Sequence, residues 1–148
     1  MSPDGLALVG PLALALLQTS GWAVDSVGGL TMGADPVSYA MAYASALAGA
    51  PLRCFAVRKE AKGHGMGKRI EGSFQRGDRV VVIEDSMTTG GSALNAAGAV
   101  RDEGGVVVGA LTLVDREEGA REALSAAGIP LIAFTTAAEL KLRIPEQS

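Results

Sequence analysis

The sequence predicts an α/β fold, a central and mainly parallel sheet flanked by helices in a Rossmann-like alternation. Three observations carry this. Apolar runs of strand length alternate with helix-length stretches, the order expected of βα units around a parallel sheet. Val80–Ile83 is an unbroken run of β-formers, as in a strand covered on both faces. Apolar residues make up 48% of the chain, aromatics only 4%, and glycines number 20, a composition suited to close helix–sheet packing. The 148 residues read as one domain, 1–148, long enough to enclose a full core.

The elements follow in order. Ser2-Pro3-Asp4 is a helix start with Pro in the first turn, and the helix runs over about 5–18. A strand at 25–30 leads to a helix at about 36–48, with Pro36 in its first turn and Gly49 just past its end. Strand 53–58 is followed by a loop to about 69. Strand 79–84, helix 92–103, strand 106–114, helix 117–127, strand 130–135 and a short C-terminal helix complete the chain.

Charge and cysteine usage narrow the function. The net charge of −3 does not suggest a nucleic-acid partner. Locally, Arg53, Arg58, Lys59, Lys62, Lys68, Arg69, Arg76 and Arg79 stand against only Glu60, Glu71 and Asp78. Such a basic stretch in an acidic chain suggests a small polyanionic ligand, or else a solvated basic face. Cys54 is the single cysteine, so no internal disulfide forms and a reducing compartment is expected. Beside Phe55 and Val57 it reads as a core thiol. Leu6–Leu17 is apolar but lacks a basic flank and is too short to span a bilayer. The expectation is a cytoplasmic protein with no membrane partner.

The densest chemical signal is VVVIEDSMTTGGS, residues 80–92. Glu84 and Asp85 fall at the carboxyl end of a strand, where open α/β sheets bind ligands. Thr88, Thr89, Gly90, Gly91 and Ser92 then supply hydroxyls and free backbone N–H groups at a helix start, a ready anion site. Carboxylates accept hydrogen bonds from sugar hydroxyls and help place hydrated Mg²⁺. The turn therefore suits a phosphorylated ribose. Neither the GxxxxGK[ST] nor the GxGxxG pattern is present in it.

Three further loops follow strands. Gly28–Asp35 includes Gly29, Leu30, Thr31, Met32 and Gly33, where glycines would let backbone amides approach a second phosphate. An ordinary βα turn explains the same residues. Arg116, where a strand hands over to a helix, either faces the acidic turn or pairs with Glu117 or a neighbouring acid. Arg58-Lys59-Glu60-Ala61-Lys62-Gly63-His64-Gly65-Met66-Gly67-Lys68 alternates glycine with other residues at its end. This reads as a loop that is mobile when free, and its cations suit a departing pyrophosphate. His64 is the single histidine, set among glycines and cations.

These loops resemble the type I phosphoribosyltransferases, and among them the orotate phosphoribosyltransferases. FAVRKEAKGHGMG is similar to that family's catalytic loop and VVVIEDSMTTGGS to its motif for 5-phosphoribosyl 1-pyrophosphate (PRPP). VGGLTMGADP and LVDREEG stand where the family has its pyrophosphate loop and an orotate-contacting Arg. The resemblance runs from about Asp25 to Glu118. Met32 departs from it, since many members carry Lys there. Nothing before Asp25 matches the N-terminal hood of full-length relatives, so the domain is expected to be short at that end.

The resemblance implies the type I phosphoribosyltransferase fold and transfer of phosphoribosyl from PRPP to orotate, giving orotidine 5-monophosphate and pyrophosphate, a step of pyrimidine (UMP) synthesis. Glu84 and Asp85 would hold the ribose hydroxyls, and residues 88–92 the 5-phosphate. Lys59 would contact pyrophosphate in its own subunit, while Arg58, Lys62 and His64 would serve the neighbouring subunit of a homodimer. Thr88 and Arg116 would contact orotate. Lys59, Lys62, His64 and Asp85 are the implied catalytic residues. Mg²⁺ would arrive with PRPP and water, without a dedicated protein site. A phosphoribosyltransferase for another base, or a non-catalytic PRPP binder, are the remaining readings.

Overall fold

One strand buried on both faces organises the molecule, whose computed structural model describes residues 1–61, 63 and 67–143. Strand β4 spans Arg79–Met87. Its Val80 and Val82 enter one apolar cluster, and Val81 and Ile83 enter the other, on the opposite face of the sheet. A strand turns successive side chains to opposite faces, so an all-apolar run needs cover on both. The remaining strands are β1 (Ser26–Leu30), β2 (Arg53–Val57), β3 (Ile70–Gly72), β5 (Val106–Asp115) and β6 (Leu131–Thr136). They form one sheet in the order β3-β2-β1-β4-β5-β6, with only β3 antiparallel.

Helices α1 (Pro3–Thr19) and α2 (Asp35–Leu47) cover one face. Helices α3 (Gly91–Asp102) and α4 (Ala120–Ala126) cover the other. Helix α5 (Ala137–Arg143) follows the last strand. Ser2 caps α1 by accepting a hydrogen bond from the Gly5 N–H at 3.1 Å, as its sequence predicts. Gly10 lets α1 and α2 approach closely, because a Cβ there would stand 2.4 Å from the Ala40 carbonyl oxygen. Each fully buried Val, Leu or Met contributes roughly 1.5–3 kcal/mol of transfer free energy. The burial on both faces of the sheet is thus the main support of the fold.

The structure refines the sequence reading where it bears on the site. Strand β4 continues to Met87, so Glu84 and Asp85 lie within the strand, which stays paired with β5 at Ser86 and Met87. Gly28 and Gly29, read both as part of the strand at 25–30 and as the start of the loop Gly28–Asp35, lie in β1. A Cβ on Gly28 would meet the Phe55 carbonyl oxygen at 2.3 Å, and one on Gly29 the Ile83 oxygen at 2.1 Å. Helix α4 starts at Ala120 and not at 117, because the Asp115 carboxylate accepts a hydrogen bond from the Glu117 N–H and Gly119 takes a left-handed φ of 102°. Strand β3 has no counterpart in the sequence reading, being only three residues long with Ile70 its single buried side chain.

Candidate active site

The site follows from the strand order. Successive connections run outward from β1 toward β2 and β3, and from β4 toward β5 and β6. The central pair β1 and β4 is therefore the topological switch point, where ligands bind beyond the carboxyl ends of the strands. Pairing between them ends at Gly28 opposite Val82, although β1 runs on to Leu30 and β4 to Met87. The turns that open there are Thr31–Ala34, leading into α2, and Thr88–Gly90, leading into α3.

Strand periodicity sends the two carboxylates to different sides of this crevice. Glu84 shares the parity of Val80 and Val82 and faces α3, where the Ser92 hydroxyl meets it. Asp85 faces the other turn, and a Cβ on Gly33 would lie 3.3 Å from its Oδ1. Burial, reinforced by the Asp85 charge, pushes the Glu84 carboxyl above its usual pKa, with Ser92 acting in the opposite direction. Asp85 is exposed, and its Oδ1 accepts a hydrogen bond from the Ser86 N–H at 2.7 Å.

The start of α3 forms another wall of this region. Gly90, at φ 87°, is its N-cap, no side chain caps its first N–H groups, and no acid stands in its first turn. A Cβ on Gly90 would press on Ala120 at 3.3–3.4 Å. Thr88, Thr89, Gly91 and Ser92 are exposed around it. The open N–H groups and positive helix end suit a phosphate.

The other predicted residues take varied places. Thr31 extends the β1–β2 ladder through its N–H to the Val57 carbonyl and donates its hydroxyl to Asp35 at 2.6 Å. Met32, 79% exposed, follows a cis peptide bond, and Gly33 beside it is exposed. The Arg116 N–H donates to the Met87 carbonyl at 2.9 Å, which fixes it beside the acidic strand end, and its guanidinium reaches Glu118 at 3.8 Å. Lys59 is exposed, and half-buried Arg58 is ion-paired with Glu71. Lys62 and His64 lie outside the described residues.

The basic stretch from Arg53 to Arg79 is not one patch. Arg53 pairs with buried Asp78, and Arg79 grips Asp25 through Nε and Nη2, both at 2.9 Å. Both arginines begin strands, so these pairs stand at the end of the sheet away from the crevice. Cys54 is half-buried, and burial raises its thiol pKa, consistent with a packing role. The sequence reading counted Arg69 only as one of the basic residues of this stretch and gave it no structural role. Its guanidinium donates to the carbonyls of Arg58 and Lys59, contacts invisible in a residue pattern because they end on backbone.

No family model matches the chain. Individual relatives do. The chain is 46% identical over 138 residues to the orotate phosphoribosyltransferase of Aquifex aeolicus, covering 93% of this chain and 74% of that one. It is 53% identical over 130 residues to that of Streptomyces avermitilis, covering 86% and 70%. The crystal structure of Mycobacterium tuberculosis orotate phosphoribosyltransferase with inorganic phosphate superposes with a TM-score of 0.83 at 45% identity, over 95% of this chain and 75% of that one. The same enzyme with PRPP gives 0.78 at 46% identity, over 91% and 75%. Fold and sequence together define a type I phosphoribosyltransferase. Within that class, the chain belongs to the orotate phosphoribosyltransferase family. Among the described residues, no helix is long and apolar enough to cross a membrane.

Proposed function

We propose that this chain transfers the 5-phosphoribosyl group of PRPP to orotate, giving orotidine 5-monophosphate and pyrophosphate in pyrimidine synthesis. The carrying observation is the crevice between β1 and β4, with a carboxylate on each side and an uncapped helix start, in a chain 53% identical to an orotate phosphoribosyltransferase. One relative of this fold was solved with PRPP.

In this reading the anion site at Thr88–Ser92 takes the 5-phosphate and Glu84 and Asp85 accept hydrogen bonds from the ribose hydroxyls. The Thr31–Gly33 turn and Lys59 meet the pyrophosphate. A ring nitrogen of orotate, held by Thr88 and Arg116, forms the new bond to the anomeric carbon as the bond to the pyrophosphate oxygen breaks. The electron pair leaves with pyrophosphate, so charge compensation there and orientation of the base supply the catalysis. No covalent enzyme intermediate is required.

Mg²⁺ fits the donor set. Glu84 and Asp85 are adjacent carboxylates whose mutual repulsion a cation relieves. No group of three or more His, Cys, Asp or Glu gathers among the described residues. The two carboxylates would therefore share the ion with PRPP and water, as suits a metal that keeps much of its hydration. When bound it would neutralise part of the pyrophosphate charge.

We further propose a homodimer in which Arg58, Lys62 and His64 serve the partner's site. Arg58 would exchange its Glu71 partner for the ligand. A cytoplasmic location accords with the lone cysteine. The test is the ultraviolet absorbance of orotate on adding PRPP and Mg²⁺, with Asp85→Asn in parallel. Loss of absorbance in the unmodified chain and not in the variant supports the reading. PRPP binding without orotate turnover, or turnover with another base, overturns the choice of acceptor.

A further inference from the structure

One arginine fastens the backbone around Lys59. Arg69 is half-buried, and its Nε and Nη2 donate to the Arg58 carbonyl at 3.1 and 2.8 Å. Nη2 also donates to the Lys59 carbonyl at 3.2 Å and to the side-chain oxygen of Asn95. The Arg58 N–H returns a bond to the Arg69 carbonyl at 2.8 Å. The N–H groups of Arg69 and Ile70 donate to Glu103 at 3.1 and 3.2 Å. Asn95 lies on α3 and Glu103 is that helix's C-cap. The helix that opens the phosphate turn thus also carries, through Arg69, the backbone from which Lys59 projects.

We infer that Arg69 is a positioning residue that holds Lys59 in register with the phosphoribosyl turn. This rests on the proposed PRPP site. A planar guanidinium with several fixed donors can hold two carbonyls and an amide oxygen at once, whereas an ammonium cannot reproduce that fork. A lysine side chain loses rotamer freedom when it engages a ligand, and a fixed backbone limits the remaining search. Arg69 therefore acts on pyrophosphate without touching it.

The test is a double-mutant cycle on PRPP affinity, read by calorimetry with PRPP and Mg²⁺, using Arg69→Ala, Lys59→Ala and the double variant. Arg69→Ala should weaken PRPP about 10-fold, and under about 2-fold when Lys59 is already Ala, because residues acting through one another are not additive. Arg69→Lys should recover only part of the loss. If Arg69→Ala does not fold, Asn95→Ala, which removes the tie from the Arg69 side chain to α3 and leaves the bonds to Glu103, is run through the same cycle. Additive losses, or PRPP affinity unchanged in the folded variant, overturn the inference. Orotate turnover is measured alongside. Coupled PRPP binding without orotate turnover would sink the orotate reading and leave the role of Arg69 standing, whereas turnover with additive effects would do the reverse.

Discussion

Gly33 faces Asp85 across the crevice at the switch point: a Cβ on Gly33 would lie 3.3 Å from the Asp85 Oδ1. The gap between β1's turn and β4's carboxylate is therefore too narrow for a side chain and a ligand together. Gly33 is exposed and has an ordinary φ, so the fold accepts a larger residue there. Gly33→Val should cut kcat/KM for PRPP by about 10²-fold, the cost of displacing a ligand by an ångström or so. Its thermal midpoint should match the parent's. A matching turnover would mean that the sugar does not enter between these residues.

Gly29, four positions earlier, has a different reason to be glycine. A Cβ there would be 2.1 Å from the Ile83 carbonyl oxygen and 2.7 Å from the Ala34 Cβ. Gly29→Ala should destabilise the fold by about 3 kcal/mol, the upper end for overpacking, because the obstacle is backbone. Urea unfolding measures this, and a loss below about 1 kcal/mol would show that β1 and β4 separate easily.

These two glycines mark how far the sequence could be read. The parallel sheet, its helices and the turn that follows Glu84 and Asp85 into α3 were legible because strand runs and glycine-containing helix starts leave local patterns. Gly28 and Gly29 fell within both the expected strand and the expected loop, since close approach of neighbouring strands leaves no trace in a one-dimensional pattern. Charge misled in a similar way. Arg53 and Arg79 swelled an apparent basic patch, yet each ties down the start of a strand through Asp78 or Asp25. Arg69 was counted there only as charge, because the backbone carbonyls it holds leave no residue pattern.

Glu84 should trade stability for binding. Its carboxyl is held above the usual pKa mainly by burial, so its ionised form is disfavoured in the ligand-free fold. A raised carboxyl pKa contributes stability when protonated, and this is lost as pH rises through the folded-state value. Glu84→Gln should accordingly raise the melting temperature of the ligand-free protein at neutral pH and change it little in mild acid. The same variant should bind PRPP with Mg²⁺ about 10-fold more weakly, the scale for losing a hydrogen bond to a charged group. Melting curves that fall at neutral pH would contradict the burial argument.

Asp25 has the opposite sign. Side-chain and backbone hydrogen bonds from Arg79 hold its carboxyl well below the ordinary range. The stability it contributes is complete above the unfolded-state value of about 3.9 and fades as pH falls toward the folded-state one. Asp25→Asn should melt below the parent at neutral pH, and the two midpoints should approach each other below about pH 4. The pair stands away from the crevice, so PRPP affinity at neutral pH should be unchanged. Parallel midpoints across the whole pH range would show that the ion pair adds nothing to stability.

The proposed orotate contact of Arg116 can be tested apart from phosphate recognition. The residue's backbone is fixed by the Met87 carbonyl, while its half-exposed side chain pairs with Glu118 at 3.8 Å. An exposed pair of that length is worth about 0–1 kcal/mol, so Arg116 can leave it for a ligand carboxylate at little cost. Arg116→Ala should raise the KM for orotate about 10–100-fold, the scale of a charged hydrogen bond, with PRPP affinity by calorimetry unchanged. Glu118→Gln should lower that KM by no more than about 5-fold, since the pair it removes is weak. If Arg116→Ala weakens PRPP as much as orotate, the residue serves the phosphoryl end of the site, and the base must be held by other groups.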